Sequence, residues 1–179
     1  MERPVLWGFS DGANIAIEIA LRQPDFARAL VLHDPVVYFS EAYLSMIERL
    51  FGTFSPDHGP DLDSIARTRP AYIAELQRRH ARQGPDHWRT LLPPMLRMWT
   101  TPLSFEAGTE RDLARVVAPT LVVSGDRSMS NSLEETIAFY RQLPTAELLV
   151  LPGLDHERPP DPGPFVGLVV DFLARHPTD

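Results

Sequence analysis

Apolar residues along the chain gather into four compact runs. Residues 4–9 (PVLWGF) and 29–35 (ALVLHDP) show no polar alternation, the signature of strands buried on both faces. Residues 118–126 (APTLVVSGD) and 146–153 (AELLVLPG) read as two further strands. Between the first two lies ANIAIEIALRQ, where Ala13, Ala16, Ile17, Ala20 and Leu21 fall at helical spacing and Ile15 and Ile19 widen the apolar arc. A mostly buried helix ended by Pro24 follows from that pattern. SLEETIAFYRQL connects the last two strands as an amphipathic helix, and PFVGLVVDFLARH closes the chain as another. Strand, helix and strand within some thirty residues make a right-handed crossover, so the class is α/β with a mostly parallel sheet of about four strands and flanking helices. Residues 36–115 carry no strand pattern and predict helices around Glu41–Phe51, Ile65–Arg82 and His87–Met98, punctuated by segments such as SPDHGPD. The predicted organisation is a core in two parts, 1–35 and 116–179, with a helical insertion at 36–115.

Composition narrows the chemistry. The chain has 179 residues, no cysteine, and 17 basic residues of which all are arginine. Thiolate nucleophiles, thiolate zinc sites and disulfides are excluded, as are Schiff-base and P-loop activities that need a lysine of this chain. With 44% hydrophobic residues the chain suits one domain with a sizeable core. A net charge of -7 and scattered arginines argue against nucleic acid as a partner. Glu2, Arg3, Asp11, Asn14 and Glu18 interrupt the first segment, so neither a leader nor a membrane span is expected and the chain reads as soluble and cytoplasmic.

Gly8-Phe9-Ser10-Asp11-Gly12 is a G-x-S-x-G sequence lying between a buried strand and a buried helix. That is where a nucleophile elbow must sit, with the serine hydroxyl lifted above the sheet and small residues at both glycines letting strand and helix pass closely. A serine nucleophile needs a base. His156, in LPGLDHERPP, follows the last strand at the carboxyl edge where sites of open parallel sheets gather. The plainer reading makes His156 a loop histidine between solvated Asp155 and Glu157. His33 ends an apolar run and reads as packed or bonded to a backbone carbonyl, whereas His58, His80, His87 and His176 lie in polar contexts. No H-E-x-x-H occurs, Asp57, Asp61 and Asp63 read as a solvated loop, and Gly8 with Gly12 does not form the dinucleotide fingerprint. No metal or cofactor is expected.

VLWGFSDGANIAIEIALRQPDFARALVL resembles the elbow strand, helix and next strand of the α/β-hydrolase superfamily. PTLVVSGD and the late loop bearing His156, followed by PFVGLVVDFL, are similar to its last two strands and terminal helix. The resemblance covers the two ends of the chain and treats the middle as a cap. It implies a Ser, acid, His order and leaves the acid open. Many relatives carry it in a G-x-x-D segment after the penultimate strand, where this chain has Gly125-Asp126-Arg127-Ser128, with serine at the acid's place. Others place it after the strand following the elbow helix, where Asp34 stands. A short carboxylate leaving a strand's end can orient an imidazole, which favours Asp34 and keeps Asp126 as the alternative. Turn residues are the plainer reading of both.

The resemblance further implies that the backbone N–H of Asp11 supplies one oxyanion donor, while a second donor and four more strands belong to a region before the elbow. The elbow strand is then an edge, and a homodimer, a complementing chain or an incomplete fragment is expected through it. The insertion implies a lid over Ser10. Phe9, Met95, Met98 and Trp99, with Leu91, Leu92, Leu96 and Phe105 nearby in sequence, would form an apolar substrate pocket, against the plainer reading of helix core. The expected function is hydrolysis of a small ester, lactone or related carbonyl compound by Ser10, His156 and an aspartate. The rivals are a non-hydrolytic cyclase, isomerase or binding protein of the same fold, and an assembly partner.

Overall fold

The computed structural model describes residues 3–36, 38–54, 59–101, 105–106, 108–156, 159 and 161–177. Glu2, Asp57, His58 and Glu157 lie outside them. Strands β1 (Val5–Phe9), β2 (Ala29–His33), β3 (Thr120–Gly125) and β4 (Ala146–Leu151) pair in that order, every pair parallel. Helix α1 (Asp11–Arg22) joins β1 to β2, α6 (Leu133–Tyr140) joins β3 to β4, and α7 (Pro162–Arg175) ends the chain. These elements belong to one compact unit, Met1–Tyr38 with Leu103–Asp179.

Side chains alternate across a strand, and here both faces are covered. Leu30, Leu32 and Val122 turn toward Ala13, Ile17 and Ala20 of α1 and Phe139 of α6. Ala29, Val31, Leu121 and Val123 turn the other way, onto Phe165, Val169 and Phe172 of α7. A strand sandwiched in this manner has no polar face, which is why its sequence lacks alternation. β1 departs from that expectation. It pairs with β2 alone among the described strands, and Trp7 at its centre is 48% exposed although its ring meets Phe165 edge-on at 5.6 Å.

The second unit, Phe39–Pro102, is helical. It holds α2 (Glu41–Phe51), α3 (Leu62–Thr68), α4 (Pro70–Arg79) and α5 (Trp88–Thr100). Ser40 caps α2 by accepting from the Tyr43 N–H, and Asp61 caps α3 through the Ser64 N–H. The single helix predicted over Ile65–Arg82 is broken at Arg69, because Pro70 disfavours helical dihedrals in the residue before it. Arg69 sits at φ -131° and ψ 50°, and Pro70 opens the next helix. Pro93 and Pro94, by contrast, lie inside α5. This unit is shorter than the insertion expected over 36–115: Leu113 is part of the first unit's core and Phe105 packs against it.

Helix α7 offers a direct test of this packing. Phe172 is buried and Val170 is 56% exposed on the same helix. Phe172→Ala is expected to lower stability by about 3–5 kcal/mol, and Val170→Ala to stay within about 0.5 kcal/mol of the parent, both read by denaturant unfolding.

Candidate active site

All the strands run the same way, so the residues that leave their carboxyl ends share one edge of the sheet. Phe9 is in register with His33, and His33 with Val123. Ser10 and Asp34 are therefore the first residues beyond two adjacent strands. They are also the two non-glycine residues with positive φ among the described residues, 55° and 50°. Each is anchored by its neighbour strand: the Ser10 N–H donates to the His33 carbonyl at 2.9 Å, and the Asp34 N–H to the Val123 carbonyl at 2.7 Å.

The elbow owes its sharpness to Gly8. A Cβ on Gly8 would lie 2.1 Å from the Gly12 carbonyl oxygen and 2.4 Å from the Ala13 nitrogen, so only glycine lets the first turn of α1 come so near the strand. Gly12 has no such neighbour, and the expectation that both glycines serve the close passage holds for Gly8 alone. Ser10 occupies the N-cap position of α1, with its carbonyl accepting from Ala13 and Asn14. Its hydroxyl makes no capping bond. It meets the Nε2 of His156 at 2.9 Å instead.

His156 Nδ1 lies 2.5 Å from Asp34 Oδ2, completing a line from serine to imidazole to carboxylate. The imidazole is stacked on Phe9, ring centroids 5.0 Å apart, and Phe9 leans on the buried His33 at 4.9 Å. Asp34 is 1% exposed. A carboxylate so enclosed requires hydrogen-bond donors, and it has two hydroxyls besides the imidazole: Ser124 Oγ at 2.8 Å from Oδ1 and Ser128 Oγ at 2.8 Å from Oδ2. The backbone around it is tied as well, Asn131 Nδ2 donating to the Pro35 carbonyl and Asn14 Nδ2 to that of Val36.

Asp126 has another partner. Its Oδ1 accepts from the Gly153 N–H at 2.5 Å, bracing the turn after β4, and it takes no part in the line through His156. Asp155, read in sequence as a solvated neighbour, accepts from the Met129 N–H at 2.7 Å and from the His156 N–H at 2.6 Å, joining the loops after β3 and β4. Ser124 and Asn131 went unnoticed in the sequence. A serine inside the apolar run TLVVSG was the available signal, since a buried hydroxyl needs a partner.

Phe9 also lines a cleft of about 360 Å³ with Trp7, His33, Pro162, Phe165 and Val166. Met95, Met98 and Trp99 belong to the second unit, where Trp99 lies 5.8 Å from Phe51 and Met98 is 45% exposed. Leu92 and Leu96 are buried there, as the plainer reading of that helix held. His80 and His87 face each other within that unit, and His176 bonds Glu147. Among the described residues no group of three or more histidine, aspartate or glutamate side chains is placed to hold a metal ion, and no helix is long and apolar enough to cross a membrane.

A parallel sheet entered by a strand–serine–helix elbow defines an α/β-hydrolase fold. The chain belongs to the α/β-hydrolase family described as serine aminopeptidase, S33, which matches residues 2–162. No curated protein sequence gives a significant match. Solved structures similar to it include a serine hydrolase involved in carbazole degradation (TM-score 0.59, 18% identity, 97% of this chain and 64% of that one). An esterase of Pyrococcus furiosus (0.58, 20%, 98% and 54%) and a thermophilic esterase of Thermogutta terrifontis (0.57, 21%, 98% and 66%) are others. At these identities the likeness is one of fold, and the chain spans between about half and two thirds of their length.

The contrast between the elbow glycines is measurable. Gly8→Ala is expected to destabilise by about 3 kcal/mol or more, because backbone must move to admit the methyl group. Gly12→Ala, inside α1, should remain within about 1 kcal/mol of the parent and lean toward greater stability. Equal losses in the two variants by denaturant unfolding would refute this account of the elbow.

Proposed function

We propose that the chain carries the catalytic residues of a serine hydrolase acting on a small ester, lactone or related carbonyl compound. The single observation behind this reading is the continuous hydrogen-bonded line from Ser10 Oγ through His156 to Asp34. In it, Ser10 Oγ attacks the carbonyl carbon while His156 Nε2 takes the hydroxyl proton. The imidazolium then passes that proton to the departing alkoxide, leaving an acyl-serine. A water molecule, deprotonated by the same nitrogen, cleaves the acyl group and returns the proton to Ser10. Asp34 keeps Nδ1 protonated and stabilises the imidazolium. The Asp11 N–H, opening α1 at the positive end of its dipole, receives the oxyanion. None of these steps calls for a cofactor.

Ser128, which stands where many relatives carry the acid, donates its hydroxyl to Asp34, and this supports Asp34 as the acid in the hydrolase reading. The outer edge of β1, with Trp7 exposed on it, is assigned in this reading to a further strand supplied by a second copy or by a complementing chain.

Intact-mass spectrometry after exposure to a fluorophosphonate probe tests the reading. One adduct is expected on the parent chain and none on Ser10→Ala or His156→Ala. Asp34→Asn should slow labelling by roughly 10³- to 10⁴-fold, while Asp126→Asn stays within about twofold. A folded parent chain that takes no adduct would remove the serine-hydrolase reading. Sedimentation of the same sample is expected to show a species larger than the 20.2 kDa monomer, and a labelled, discrete monomer would remove the edge assignment.

A further inference from the structure

We infer that Asn14 and Asn131 are positioning residues for the triad acid: their side-chain amides hold the two carbonyls that follow Asp34 and so set the direction in which its carboxylate leaves the sheet. This rests on the triad reading above. Asn131 Nδ2 donates to the Pro35 carbonyl at 2.7 Å and Asn14 Nδ2 to the Val36 carbonyl at 2.9 Å. The two asparagines come from the connections after β3 and β1, the strands that flank β2. Asn14 lies near the start of α1, and its own N–H bonds the Ser10 carbonyl at 3.3 Å. Asn131 lies between β3 and α6, beside Ser132 at the N-cap of that helix. The turn after β2 is thereby bolted to the nucleophile's helix on one flank and to the loop bearing Ser128 on the other.

Local preference does not supply this turn. Asp34 has a φ of 50°, a region disfavoured for a residue with a Cβ, and a residue before proline prefers extended dihedrals. The Asp34 N–H on the Val123 carbonyl fixes the residue from one side. Pro35 has no N–H, so its carbonyl is the only main-chain polar group it offers. Asn131 takes that carbonyl, and Asn14 takes the next one.

Hydrogen-bond satisfaction alone leaves the pair unexplained. Pro35 and Val36 are buried and their carbonyls require donors. Yet Asn14 Oδ1 and Asn131 Oδ1 are themselves buried and accept no hydrogen bond among the described residues. Each asparagine satisfies one buried acceptor and leaves another without a donor, Asn131 at only 5% exposure. Such an exchange adds little net stability, whereas it does add direction. The second unit begins at Phe39, shortly after Val36, so both anchored carbonyls lie between the acid and the helical insertion. A displacement passed along the chain from the insertion meets them before it meets Asp34.

The test uses the full chain and three readouts: the rate of fluorophosphonate labelling of Ser10, the downfield proton resonance of His156 Nδ1–H, and the thermal midpoint. Leucine is the replacement, since it has nearly the shape of asparagine and no polar atom. Asn14→Leu and Asn131→Leu are each expected to slow labelling roughly 10- to 100-fold, the scale of loss when a reacting group is misplaced. The downfield resonance should shift in both, while the thermal midpoint moves by less than about 5 °C. Asp34→Gly, which removes the carboxylate and suits a φ of 50°, should lose roughly 10³-fold or more. On that background either leucine substitution should change labelling by less than about twofold, because an amide that acts through the carboxylate has nothing left to act on. Equal slowing on both backgrounds is what a merely structural asparagine gives, and it would overturn the inference. If Asn131→Leu does not fold, Asn14→Leu decides alone, since Asn14 is only partly buried and leucine is the better helix former. If the parent labels, Asp34→Gly does not, and the leucine variants label like the parent, the inference falls and the triad reading stands. If the parent takes no label, the hydrolase reading falls and the resonance still decides: a shift in the leucine variants upholds the positioning role, and an unmoved resonance overturns it.

Discussion

Parallel register is the constraint on which everything else in the first unit depends. Because β1, β2 and β3 run the same way, with Phe9, His33 and Val123 in register and β3 running two residues further, the residues that follow them emerge at one edge without any long loop having to bring them there. The hydrogen bonds that end the ladder also fix the first residue beyond it, as the Ser10 N–H on His33 and the Asp34 N–H on Val123 do. The line from Ser10 through His156 to Asp34 is an extension of that backbone pairing, and it inherits the rigidity of a core packed from both faces.

The polar part of the site is built on the same economy. A buried carboxylate is tolerated only if its lone pairs are used, and Asp34 draws its donors from β3 and the loop after it, one strand away. Asp126, the alternative acid of the sequence, and Asp155, read there as a solvated neighbour, each give an oxygen to backbone N–H groups of neighbouring turns. Three aspartates at one edge of the sheet thus divide into one that faces the base and two that hold the loops around it.

The fold was legible because doubly covered strands leave an unmistakable apolar run, and a nucleophile elbow has local sequence requirements. Ser10 and His156 were readable on those grounds, and Asp34 as one of two alternatives. Three features were hidden for physical reasons. The exposure of Trp7 depends on what pairs with β1, which no local pattern encodes. The break at Arg69 was masked by apolar spacing that runs through Pro70, although proline's effect on its predecessor is a local rule. The donors Ser124 and Ser128 are residues whose role exists only across strands, some ninety positions from their acceptor.

The dihedrals of Ser10 and Asp34 have a consequence for how such a protein can change. A non-glycine residue held at positive φ carries local strain of about 1–3 kcal/mol, and the native state bears it at both positions. Glycine at each would relax the backbone and, in the same substitution, remove an end of the hydrogen-bonded line through His156. Serine and aspartate at these two positions therefore hold the fold below the stability that glycine would give it.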